Sequence, residues 1–146
     1  MRKTIFILSI LLTFSALADN CIKSQFMRNK FCIGDLIQEG DQADGFFGEV
    51  VGILRNKNYK HMVYVLRIPF WPMTRGFHMK SFPEVVTENL RDITKLNLSK
   101  RNKFMKRRWI EYKQAHKAEI LKEIKEYEAK LRKRKIKYDT GAMKFN

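Results

Sequence analysis

The chain is short of the residues that carry most recognisable chemistry. Only two cysteines occur in its 146 residues, Cys21 and Cys32. Their ten-residue gap is not the C-x-x-C spacing of redox and zinc sites. The three histidines, His61, His78 and His116, are scattered, and none stands at ligand spacing from a cysteine or another histidine. Ser81 lies near His78 but has no G-x-S-x-G elbow around it. Asp35, Glu39, Asp41 and Asp44 do not follow the order of a calcium-binding loop. These absences predict a protein without metal, cofactor or catalytic residues. The one catalytic alternative left is a hydrolase using carboxylates of the 35–49 region.

Long apolar runs are also scarce. The single one, Ile5–Leu12, follows Arg2-Lys3 and precedes Ala16-Leu17-Ala18. Basic, apolar and small-x-small segments in that order read as a secretory signal peptide cleaved after Ala18. A membrane anchor needs about 20 apolar residues, and Thr13, Ser15, Asp19 and Asn20 interrupt the run. Cys21 follows Asp19-Asn20 and so lacks a lipobox. The expectation is an exported bacterial protein, periplasmic or secreted. In an oxidising compartment Cys21 and Cys32 are expected to pair, a staple worth about 3 kcal/mol in a small domain.

Negative charge is the third scarcity: 15 Asp and Glu stand against 30 Lys and Arg, for a net charge of +15. The imbalance is uneven. Between Asp19 and Pro83 there are nine basic and six acidic residues, but from Glu84 to Asn146 nineteen and nine. Such a step suggests two parts with different roles.

Residues 31–69 read as strands. Phe46–Leu54 is rich in aromatic and β-branched residues, with Gly48 and Gly52 inside it, where glycine marks a bulge or bend. The polar turn Arg55–Asn58 separates it from Tyr59–Ile68, a hairpin pattern. Residues 84–93 admit both a capped helix and a closing strand. From Ser99 to Lys135 there is no proline or glycine. There Met105, Trp109, Tyr112, His116, Ile120, Ile124, Tyr127 and Leu131 recur every three or four residues. That stripe predicts one continuous amphipathic helix of about 55 Å.

Ile33-Gly34-Asp35-Leu36-Ile37, Gly48-Glu49-Val50-Val51-Gly52-Ile53, Tyr64-Val65 and Glu84-Val85-Val86-Thr87-Glu88-Asn89-Leu90 resemble the succession of strands in small SH3-like barrels. The resemblance covers about residues 30–92, and the insertion at Phe70-Trp71-Pro72 departs from a minimal barrel. It implies an SH3-like antiparallel β-barrel, which with the long basic amphipathic C-terminal α-helix read from the stripe makes an α+β chain. The divisions are a signal peptide at 1–18, a barrel at 19–95, a helix at 96–138 and a disordered tail at 139–146. It also implies a binding module with an aromatic groove, for which Tyr59, Phe70 and Trp71 are the candidates. The plainer alternative, stronger for Tyr64, is that such rings fill a small core.

The helix carries the remaining candidates: Arg101, Lys106, Arg107, Arg108 and Trp109 at its start, Arg132 and Arg134 at its end. They predict attachment to an anionic envelope polymer, a membrane surface or a partner protein's helix. Nucleic acid answers to the same charge, but export takes the protein away from it. Self-association through a coiled coil is the structural alternative, although the charges do not alternate cleanly over heptads. The bland reading is that the stripe packs on the barrel while the basic residues solvate the outer face.

Overall fold

The computed structural model describes residues 20–23, 29–40, 46–59, 62–69, 84–97, 99–141 and 143–145, with the side chains of Tyr59 and Arg101 excepted. The signal segment 1–18, Phe70 and Trp71 lie outside the described residues.

Eight strands and two helices build an α+β fold. β1 (Cys21–Lys23) and β2 (Lys30–Cys32) pair antiparallel, with Cys21 opposite Cys32, and a disulfide joins the two. β3 (Leu36–Glu39), β4 (Phe46–Leu54), β5 (Met62–Arg67), β6 (Val85–Asn89) and β7 (Ile93–Lys95) form an antiparallel sheet in the order β6-β5-β4-β3-β7. Residues 84–93 therefore take the strand alternative: β6, a turn at Leu90–Asp92, then the start of β7. Glu39 of β3 lies near enough to Glu88 of β6 for their carboxyl groups to interact electrostatically, although β4 and β5 separate their strands in the sheet.

β4 organises the molecule because all but its first residue is buried. Its register against β5 shifts between Val50 and Gly52, so the strand bulges where its glycine content predicted. Gly52 is obligatory there: an added Cβ would sit 2.0 Å from Cζ of Tyr64, whose ring covers the backbone. Val50, Ile53, Val63 and Val65 point to one face, packed with Phe31, Ile37, Leu90 and Ile93. Phe47, Val51, Leu54, Tyr64 and Leu66 point to the other, against the helices.

α1 (Lys100–Ala115) starts at Ser99, whose hydroxyl accepts the Asn102 N–H at 3.2 Å. α2 (Lys117–Lys133) follows after His116. The continuous helix expected from the sequence is thus two helices. Neither proline nor glycine lies at the break, so packing and not propensity causes it. Met105 and Trp109 on α1 and Ile120, Ile124 and Leu131 on α2 all join one core with the sheet. Two helices of about 25 Å each keep the stripe on the sheet, where a straight rod of about 55 Å would overrun it. His116 is held at the break by stacking on Tyr112 at 4.2 Å and by Nδ1 lying 3.0 Å from Glu119 Oε2.

The tail also differs from expectation. β8 (Tyr138–Thr140) pairs antiparallel with the end of β4, beside β3's pairing with its beginning. Met143 and Phe145 pack on the helical core. Burial of Ile136 and the Tyr138 ring against Tyr64 draw the chain back to the sheet.

Candidate functional site

The helices cover the sheet around a buried polar cluster. Glu49, on β4, stands among apolar neighbours and is only 5% exposed. Its Oε2 accepts the indole N–H of Trp109 at 2.6 Å and lies 3.0 Å from Nζ of Lys113, itself 5% exposed. Trp109 and Lys113 are four residues apart, so both reach the same point of the strand from one helical face. The Lys113 ammonium also donates to the Lys144 carbonyl at 2.7 Å, pinning the tail to α1. Every buried partner in this cluster is engaged, as a charge away from water requires.

Further along, Tyr64 OH donates to Glu128 Oε1 at 2.8 Å, and burial with the adjacent carboxylate pushes the phenol pKa well up. Thr87 and Tyr127 join their hydroxyls, and Glu123 Oε1 accepts the Val85 N–H at 3.4 Å. These bonds fix α2 over β5 and β6. On the opposite side of the sheet, burial pushes the Glu88 carboxyl up to about 7, with Glu39 and Asp92 adding to the rise and Arg67 opposing it.

Around the cluster opens a cavity of about 620 Å³, bounded by β4, both helices, the Ile33–Leu36 segment and the tail. Lys106, Lys125 and Lys144 line it and are exposed. None of the three makes an ion pair among the described residues.

The candidates from the sequence separate into distinct groups. Lys106, Arg107 and Arg108 stand exposed on α1, and Arg107 lies over the Phe104 ring at 6.0 Å. Trp109 is 1% exposed and part of the core, so it is not a side chain that reaches into a membrane. Phe104, off the apolar stripe, is instead the exposed large apolar residue among the described residues, at 52%. Arg132 donates to Tyr138 OH at 2.7 Å, and Arg134 is exposed at the end of α2. Arg101 belongs to α1, and Tyr59 ends a short 3-10 turn at Lys57–Tyr59. Phe70 and Trp71, as candidate groove residues, lie outside the described residues. Three of the basic candidates, Lys106, Arg107 and Arg108, thus stand exposed along α1, and two, Arg132 and Arg134, stand exposed at the end of α2.

Sequence reasoning missed the Glu49–Lys113 pair. The signal was present: a carboxylate inside a nine-residue apolar strand, and a lysine one turn after a stripe tryptophan. Among the described residues no cluster of three metal-ligating side chains occurs, and no helix is long and apolar enough to cross a membrane. Comparisons with family models, curated proteins and solved structures find no significant match to the chain.

Proposed function

We propose that the protein is an exported, non-enzymatic binding protein that attaches to an anionic envelope polymer or lipid surface through the outward faces of its helices. The observation that carries this reading is uncompensated charge. From Lys100 to Lys137 sixteen Lys and Arg stand against five Glu, while the apolar stripe is turned inward onto the sheet. The basic residues are thus the face offered to a partner. α1 begins with no acidic residue in its first turn. Cations there oppose the helix dipole at a cost of about 0.3–1 kcal/mol each, which an anionic partner offsets. Phe104 within that cluster adds an apolar contact suited to an interface.

An SH3-like barrel for the strand domain is part of this proposal. It is supported by the β3–β7 meander, whose last strand returns to pair with its first. Such a barrel would bind a peptide or glycan. Export is supported by the signal-like N-terminus and by the Cys21–Cys32 disulfide, a bond that persists in oxidising compartments. Self-association is the second reading. It is favoured by a shallow groove along α2, lined by Ala118, Leu121 and Ala129 together with Lys122, Lys125 and Glu126, charges of both signs that a second copy could pair, and predicts a mass that rises with concentration.

Co-sedimentation of the mature protein with anionic and with neutral vesicles, at rising salt, tests attachment. Binding to anionic vesicles alone, weakening as salt rises, is expected. Binding that ignores salt, or none, overturns the proposal.

A further inference from the structure

We propose that the cavity between β4 and the two helices is a binding site for a single-chain anionic amphiphile, a long-chain fatty carboxylate. This goes beyond the surface attachment above and rests on the cavity's walls and on Lys144, with Lys106 and Lys125 shared between the two. The cavity, about 620 Å³, falls in the range of about 300–1,000 Å³ usual for small-molecule sites. Its walls are largely apolar: Leu36 and Val51 from the sheet side, Trp109 and Ile110 from α1, Leu121 and Ile124 from α2.

Two features select the ligand. The first is the lack of unmet hydrogen bonding inside. Asp35 pairs with Lys95 at 3.0 Å, Glu49 with Lys113 and Trp109, and Glu128 accepts from Tyr64. Among the described residues the one buried side-chain polar atom without a partner is Arg67 Nε, which does not line the cavity. A peptide or sugar entering here would leave its own polar groups unpaired; an alkyl chain has none. The second feature is charge. Lys106 comes from α1, Lys125 from α2 and Lys144 from the tail, so exposed ammonium groups stand on three sides of the cavity. That arrangement suits a carboxylate head left at the entrance while the chain lies within.

Isothermal titration of the mature protein tests the proposal, using palmitate, hexadecanol and hexadecyltrimethylammonium below their aggregation concentrations. One-to-one binding of palmitate is expected, with the alcohol weaker and the cation weakest. Joint substitution Lys125→Glu and Lys144→Glu, both at exposed positions, is expected to weaken palmitate by about tenfold. Leu121→Glu, in the wall, is expected to remove binding while far-UV circular dichroism is retained. If that variant fails to fold, the lysine variant decides alone. Charge reversal at Lys100, Lys103 and Arg107, outside the cavity, is expected to leave palmitate binding intact, which separates this site from vesicle attachment. Absence of palmitate binding, equal binding of the cationic amphiphile, or displacement of palmitate by polyglutamate would overturn it.

Discussion

Glu49 shows what a single buried charge demands of its surroundings. Replacing it by leucine leaves the Lys113 ammonium in the interior with no carboxylate, only the Lys144 carbonyl and the face of the Trp109 ring, and removes the carboxylate that accepts from the Trp109 indole. Glu49→Leu is expected to cost about 3–5 kcal/mol, read as a lower midpoint in urea denaturation. Gly52 is limited by space. Gly52→Ala pushes a methyl into the Tyr64 ring, and the expected loss is about 1–3 kcal/mol or more. Glu88 confers a pH dependence of definite sign. Its carboxyl titrates at about 7 in the folded chain against an ordinary 4.5, so the native state holds the proton more tightly. Its contribution is present in full below about pH 4.5 and declines as pH rises through about 7. The thermal midpoint of the wild type should therefore fall over that window, and Glu88→Gln should flatten the fall. A midpoint that rises there in the wild type, and equally in the variant, would contradict this assignment.

At the scale of elements, alternation and glycine placement made β4 and β5 legible, together with the bulge at Gly52, because a strand's side-chain period is set locally. The helical stripe was legible for the same reason. Its division at His116 was not, since no residue there breaks a helix and the cause is the sheet beneath. The ordering of Tyr138–Thr140 was equally hidden, because a three-residue strand gains its stability from β4 and not from its own sequence. Trp109 was read correctly as part of the stripe, but its role turned on Glu49, sixty residues earlier. The Cys21–Cys32 bond clamps the β1–β2 pair, and reductant should lower the protein's stability by about 3 kcal/mol. Two alkylatable thiols in the unreduced protein would show that the clamp is missing.

Over the whole molecule, charge divides between two layers, strands with little net charge and helices with a strong positive excess; the step at Glu84 does not mark that boundary, because β6, β7 and β8 lie beyond it and join the sheet. The stripe inside that cover is occupied by the sheet, so among the described residues the helices turn mainly charged side chains outward, cations in excess, with Phe104 beside them. The measurement that bears most directly on the proposed attachment is vesicle binding by a variant carrying Lys100→Glu, Lys103→Glu and Arg107→Glu. All three side chains are exposed on α1, so the core is untouched. Each cation near an anionic surface contributes about 1 kcal/mol. The account predicts that binding to anionic vesicles at low salt falls to the level of neutral vesicles, with the circular dichroism spectrum unchanged. Binding retained at wild-type strength by the folded variant would contradict it.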